Sequence, residues 1–323
     1  MSDTEINKVC VVYHYYEKDL SYVDNLSHFL CFGVEGAADY FIIIADGVCR
    51  LDLAPLENVR ILSVPNNNYD YGGYSVVLNE FVDVKRYDYF LFVNSSVRGP
   101  FLPPCLGGTK RPWFEYFIDK FNYEVGVVGA SINILNNYSI HSEAYRKIFG
   151  GRAPFPHVQT PVFALNQASL SYLLNISFFN SDCFWTRQEV VSRYEIRLSR
   201  CLIGAGWNMK CLLPEYNQFD YRTDAVSDPN PSAKDGDVLW PGRYKGRTVH
   251  PYEVMFIKTA RGLWPDSYLN ALASSMKFGS PLNGSRFLDD LSCDEIKNNY
   301  RWFGPKVSLM DRVLRMVKKA WRT

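Results

Sequence analysis

The chain has 323 residues, 47% hydrophobic and 15% aromatic, with a formal net charge of +1. That is enough apolar mass for a large core, in one big α/β domain or one domain with a small appendage, and the near-neutral balance gives no field to gather nucleic acid. No run of eighteen apolar residues occurs, so no membrane-spanning helix is expected, and the polar start MSDTEINK is unlike a signal peptide.

In chain order, residues 8–16 (KVCVVYHYY) read as a first strand, ending in His14, Tyr15, Tyr16 and Glu17. Apolar residues at helical spacing follow over 22–32 (Val23, Leu26, Phe29, Leu30). A second buried strand spans 39–47 and ends at Asp46-Gly47; a third spans 58–64. Residues 66–73 are dense in turn formers, and 74–81 turns helical. The apolar run 87–93 is too short for a helix and reads as a strand buried on both faces, as in a parallel sheet covered by helices. Beyond it, 102–112 is a Pro/Gly loop, 113–121 a helix and 125–130 a short buried strand. Residues 133–156 read as a polar excursion, 157–165 as a strand, 167–174 as a helix and 209–213 as a strand. Residues 220–244, rich in Asp, Pro, Gly and Ser, read as a mobile lid or loop. A strand-like segment covers 249–259, and the chain from 267 onward is mainly helical, broken near Gly304-Pro305. Strands alternating with helices predict a mostly parallel central sheet flanked by helices.

The eight cysteines (10, 31, 49, 105, 183, 201, 211, 293) show neither CxxC pairs nor metal-type spacing. Several sit in apolar runs, where free thiols behave as small hydrophobes. A reducing, cytoplasmic setting is expected, and sequons such as that at Asn175 are then without consequence.

Four places carry chemistry. Strand 87–93 ends in Asn94, Ser95 and Ser96, followed by Arg98, Gly99 and Pro100. Ligands of open α/β sheets bind beyond the carboxyl ends of strands, so a cation among small polar groups there suggests a phosphate pocket; a polar loop with a surface Arg is the equal alternative. In the loop 68–73, glycines before a helix would let a ligand approach the backbone. Asp70 could bond ribose hydroxyls, and Tyr69 or Tyr71 could stack on a base; an Asx-turn fits the same residues. In 193–207, Glu195 near a helix start suits a general base, or it is a surface acid paired with Arg187 or Arg193. His250 and Lys258 suit a diphosphate, although a lone His is more often structural.

The order of motifs resembles glycosyltransferases of the GT-A fold, in the family that includes rhamnan synthesis protein F. The resemblance rests on YHYYE at 13–17, NNNYDYGGY at 66–74, YDYFLFVNSSVRGPF at 87–101, HVQ at 157–159, YEIRLSRCLIGAGW at 194–207 and HPYEVMFIKTAR at 250–261. It implies an α/β GT-A (Rossmann-like) domain over 1–262, with a donor half to about residue 130 and an acceptor half beyond it, then a helical extension over 263–323. It implies a dTDP- or UDP-sugar donor bound by His14, Asp46, Asp70, Tyr71, Gly72, Asn94, Ser95, Ser96, Arg98, His250 and Lys258. His157 and Gln159 would bind the acceptor, and Glu195 would be the base of an inverting displacement.

One departure matters. Asn94–Ser96 stands where many relatives carry an Asp-x-Asp metal motif, yet it has no carboxylate, and hydroxyls are poor ligands for Mg²⁺ or Mn²⁺. The expectation is metal independence, with Arg98, His250 and Lys258 neutralising the leaving diphosphate; a carboxylate from elsewhere is the other possibility. The same departure fits a catalytically inactive sugar- or nucleotide-binding homologue.

The segment 307–323 carries net +4, with Met310, Val313, Leu314, Val317 and Trp321 at helical spacing. A basic amphipathic helix of this kind lies at anionic membrane surfaces. The resulting expectation is a cytoplasmic, membrane-peripheral transferase of rhamnose or galactose type in O-antigen or capsule assembly. Its acceptor would be a glycan or polyprenyl-linked, its partners other polysaccharide-assembly enzymes, and nucleic acid would play no part. The alternatives are the inactive homologue and a membrane-surface interaction protein.

Overall fold

The computed structural model describes residues 7–53, 56–106, 111–180, 183–223, 226–233 and 235–279. The basic segment 307–323 and most of the expected helical extension lie outside the described residues.

Strands β1 (Val9–Tyr15), β2 (Asp39–Ala45), β3 (Val59–Val64) and β4 (Tyr89–Asn94) are four of the seven in the central sheet. β1 is buried at every position and β2 at all but its first, which is why their sequences lack polar alternation. Two short strands, β5 (Val97–Arg98) and β11 (Ile257–Lys258), pair with each other. Between them come β6 (Val125–Gly129), β7 (Ile132–Leu135), β8 (Phe155–Val158), β9 (Val162–Asn166) and β10 (Asn208–Cys211). The sheet order is β10-β6-β9-β4-β1-β2-β3, parallel throughout except for β9, which runs antiparallel between β4 and β6. This is a mixed α/β fold with helices flanking a mostly parallel central sheet, as the alternation of strands and helices predicts. Register places Phe92 opposite Phe163, and their rings stack at 4.7 Å, tying the antiparallel strand to the parallel half.

Helix Leu20–Phe32 starts at Asp19, whose carboxylate accepts from Ser21 N, and covers one face of the sheet through Leu26, Phe29 and Leu30. Helix Asp266–Gly279 is anchored to the same core by Leu269 and Ala273, at 1% and 0% exposure.

The structure corrects several expectations. The helix expected from 74 begins at Tyr69, so Gly72 and Gly73 lie inside it, not before it. A Cβ on Gly72 would fall inside the carbonyl oxygen of Asn67, and one on Gly73 would come within 2.5 Å of the His14 ring. These glycines serve close packing, and the start of the helix lies ahead of them at Asn68–Asp70. The excursion 133–156 holds a helix, Ile140–Phe149, framed by β7 and β8. The strand expected over 157–165 is two strands broken at 159–161. The strand expected over 249–259 is a short helix, Pro251–Val254, followed by the two residues of β11; proline at a first helical position has no amide hydrogen to lose. The expected lid at 220–244 is anchored in its described parts: Asp237 pairs with Arg261 at 2.6 Å, and Asn230 donates to the Arg243 carbonyl at 2.8 Å. Val238 and Leu239 are buried.

Candidate functional site

Two clefts open at the carboxyl ends of the parallel strands. The first, of about 500 Å³, lies beyond β1, β3 and β4 and is lined by His14, Tyr16, Tyr22, residues 66–70, Asn94, Ser95, Ser96, Phe184 and Trp185. Its floor is built from hydrogen bonds between strand ends. Ser95 N donates to the His14 carbonyl at 2.9 Å, and Tyr16 N donates to Ser95 Oγ at 3.0 Å. Asn94 Oδ1 accepts from Ser96 N and Ser96 Oγ, at 3.1 and 2.6 Å. The Asn94 amide donates to Asp70 Oδ2 at 2.8 Å. The turn therefore satisfies its own polar groups and turns one amide toward Asp70.

Asp70 is pushed up to about 7 by burial, with the charge of Glu195 adding to the effect and the Asn94 hydrogen bond opposing it. His14 is pulled down to about 4 by burial, against the opposing pull of Asp46. His14 is thus neutral at pH 7 and can offer hydrogen bonds but no charge. Asn68 and Tyr69 both adopt left-handed backbone angles. Asn68 bonds the opposite wall, donating to the Cys183 carbonyl at 2.6 Å and accepting from Trp185 N at 2.8 Å. Tyr69 is 45% exposed at this cleft and Phe184 76% exposed, so both present open ring faces.

The second cleft, of about 580 Å³, adjoins the first: Asn94 N donates to the carbonyl of Pro161, which lines it, at 3.0 Å. It gathers His157, Gln159, Glu195 and Lys258 with Arg187, Asp237, Trp240 and Arg261. His157 donates through Nδ1 to the Phe155 carbonyl at 3.0 Å, which leaves Nε2 as an acceptor, and burial pulls its pKa down. Gln159 accepts from Ser131 Oγ at 2.7 Å. Burial, with Arg261 next in effect, holds Lys258 below the usual ammonium range, while Asp237 and Glu195 oppose that shift. Arg261 is engaged by Asp237 and by the Leu239 carbonyl at 2.8 Å.

Glu195 lies on a π-helical turn, Val191–Ile196, inside a helical stretch that begins at Arg187 with a capping box between Thr186 and Glu189. It is two turns from that start, so the helix terminus does not explain it as the sequence suggested. The wider π turn re-aims side chains relative to an α-helix, a device common at functional sites. Among the described residues the Glu195 carboxylate has no hydrogen bond or ion pair, either to Arg187 or to Arg193, although it faces Lys258 and its charge acts on Asp70 and His157.

Five expected donor ligands lie elsewhere. Tyr71 is 1% exposed and stacks on Tyr194 at 4.7 Å, because the helix start at Tyr69 turns it into the core. Arg98 is also 1% exposed; it donates through Nε to Asn25 at 3.0 Å and pairs with Asp266 at 3.3 Å and Asp24 at 3.7 Å. Its charge is spent inside the fold, behind the strand ends. His250 caps helix Pro251–Val254, accepting at Nδ1 from Tyr252 N, so Nε2 carries the proton and donates to Tyr268 Oη at 2.8 Å. Asp46 is exposed outside the cleft lining, where its Oδ1 accepts from Asn66 N at 2.9 Å and steadies the loop. Gly72 is backbone packing, as above. The sequence reading did not assign Tyr16, Tyr22, Trp185, Arg187 or Arg261 to a site; Arg187 was visible only as a partner for Glu195, and Arg261 only as the end of a matched motif.

The donor set does not suit a divalent cation. Asp70 is the one carboxylate lining the first cleft, it shares Oδ2 with the Asn94 amide, and no group of three His, Cys, Asp or Glu side chains with metal-binding geometry occurs among the described residues.

No family model and no curated protein matches the chain. Among solved structures, an apo structure of the bifunctional glycosyltransferase WbbM is similar at 12% identity with a TM-score of 0.35. The match covers 60% of this chain and 38% of that one. A likeness so remote assigns no activity.

Proposed function

We propose that the chain is a glycosyltransferase that takes a nucleoside diphosphate sugar in the first cleft and a hydroxyl acceptor in the second. The observation that carries this reading is Glu195: a carboxylate in the second cleft with no ion pair among the described residues, close enough to act electrostatically on Asp70 in the first. In the proposed step Glu195 takes the acceptor's hydroxyl proton, and the oxygen bonds to the anomeric carbon. The bond from that carbon to the diphosphate breaks, and its electron pair leaves with the phosphate. Lys258 and Arg187 supply positive charge beside this point, where charge develops in the transition state. A single displacement inverts the anomeric carbon.

Tyr69, Phe184 and Trp185 offer faces for a base, and Asn66, Asn67 and Asp70 offer polar groups for ribose. The finer reading keeps a dTDP- or UDP-sugar of rhamnose or galactose type, no metal, and a glycan or polyprenyl-linked acceptor in surface polysaccharide assembly. Attachment to the cytoplasmic membrane face through 307–323 belongs to the same reading. Among the described residues no helix is long and apolar enough to cross a membrane. A second reading, a binding protein without turnover, draws on the carboxylate-free turn at Asn94–Ser96.

The test is a thermal-shift screen of UDP, dTDP and GDP, each with Mn²⁺ and with EDTA. Ligand binding to the folded state raises Tm by mass action. One nucleotide raising Tm equally in EDTA supports the proposal; a shift that needs Mn²⁺ contradicts its metal independence, and no shift with any nucleotide contradicts it altogether.

A further inference from the structure

A third cavity, of about 270 Å³, lies beyond Trp185 from the first cleft and takes no part in the proposed reaction. It is lined by Ser177, Phe178, Asn180, Trp185, Arg193 and Arg197, among others. The two arginines stand one turn apart on the same helical stretch, so both guanidinium groups reach one space. Neither forms an ion pair among the described residues. Arg193 Nε is buried with no hydrogen-bond partner. The carboxylate one turn earlier, Glu189, is committed to the cap, where it accepts from Thr186 N and Oγ1 at 3.0 and 2.8 Å.

The guanidinium groups are held by aromatic faces. Arg193 stacks on Trp185 at 3.8 Å, and Arg197 lies over Phe178 and Phe149 at 5.6 and 5.3 Å. Stacking occupies the faces and leaves the in-plane N–H groups to donate. The Nε of Arg193 is closed off from the cavity, so the donors open to a ligand there are the terminal amino groups of Arg193 and Arg197. Two preoriented guanidinium groups offer more donors than a two-oxygen carboxylate can use, and they match the three or four acceptor oxygens of a phosphate.

We infer that the cavity under Trp185 is a phosphate-binding site, formed by Arg193 and Arg197 and separate from the two clefts. The phosphate is either a small soluble one or the headgroup of a lipid. Trp185 is shared with the first cleft, and Asn68 pins its backbone, so the wall between the two sites is stiff.

The test is titration calorimetry on the full chain with inorganic phosphate, and flotation with phosphatidylcholine vesicles carrying phosphatidic acid. Each uses wild type, Arg193→Gln and Arg197→Gln. Wild type is expected to bind, and each variant to bind at least about tenfold more weakly, the scale of one lost charge-assisted contact. Binding to vesicles alone, lost in both variants, supports the site and makes the source a lipid. No binding to either probe, or binding unchanged in both variants, overturns the inference. Tighter binding of glucuronate than of phosphate overturns the phosphate assignment. If a Gln variant does not fold, Arg193→Lys and Arg197→Lys keep charge but lose the planar fork. They are expected to weaken phosphate severalfold, and unchanged binding in both overturns the inference.

Discussion

The Asn94 amide donates to Asp70 Oδ2 at 2.8 Å, joining the end of β4 to the start of the helix that follows β3. This bond favours the ionised carboxylate, but burial outweighs it and leaves Asp70 titrating near 7. An acid whose pKa is raised by folding binds more protons folded than unfolded. Its contribution therefore lowers stability as pH rises from about 4, the unfolded value, to about 7. Asp70→Asn removes the charge and keeps an acceptor for Asn94. We expect the variant to gain about 1–3 kcal/mol over wild type at pH 8 and roughly a third of that at pH 5. Urea denaturation at the two pH values checks this; an equal difference at both would contradict the raised pKa.

Gly72 and Gly73 sit inside helix Tyr69–Val76 with different neighbours. Gly72→Ala drives a methyl into the rigid Asn67 carbonyl, whereas Gly73→Ala meets the His14 ring. We expect Gly72→Ala to cost about 3 kcal/mol or more and Gly73→Ala less, with Gly73→Ala partly rescued by His14→Ala. Chemical denaturation of the four proteins measures the coupling; equal losses would contradict the packing.

Arg98 holds Asn25, Asp24 and Asp266 from the core side. Arg98→Met leaves the buried Asn25 Oδ1 without the Arg98 donor and takes the cation from Asp24 and Asp266, whose side chains are 20% and 59% exposed, and it is expected to cost about 1–3 kcal/mol. Nucleotide affinity, measured below the variant's Tm, is expected to stay within about twofold of wild type, because the guanidinium faces neither cleft. Loss of affinity with the fold intact would return Arg98 to the phosphate pocket that its sequence context suggests.

Tyr69 and Tyr71 are two residues apart and differ in everything the fold decides. Tyr69→Ala is expected to weaken nucleotide binding by about 1–3 kcal/mol with Tm nearly unchanged, since it removes one stacking face. Tyr71→Ala removes a core ring stacked on Tyr194 and is expected to cost about 3–5 kcal/mol of stability. Calorimetry paired with thermal melts separates them, and the reverse pattern would contradict the helix start at Tyr69.

What the sequence made legible follows from the range of the forces involved. Strands β1, β2 and β4 are apolar on both faces, so their runs mark a buried parallel sheet without knowledge of neighbours. The helix from Tyr69 was hidden because a glycine pair reads locally as a breaker, and only the nearness of Asn67 and His14 explains it. In the same way Pro251 and His250 begin a short helix where the apolar run suggested a strand. For the site, motif order pointed to Glu195, His157, Gln159 and Lys258, which share a cleft. Arg98 and His250 are polar residues in suggestive places, yet partners distant in sequence claim them: Asp24 and Asp266 for one, Tyr268 for the other. Residue type cannot tell an inward cation from one facing a ligand.

The most direct measurement is transfer, or donor hydrolysis, by Glu195→Gln with the nucleotide sugar that the thermal screen selects, alongside donor affinity. The substitution keeps the shape and removes the base. The account predicts turnover down by about 10²–10⁴-fold, the usual worth of a general base, with donor affinity within about twofold of wild type. Turnover equal to wild type would show that Glu195 is not the base and would take away the observation on which the transferase proposal stands.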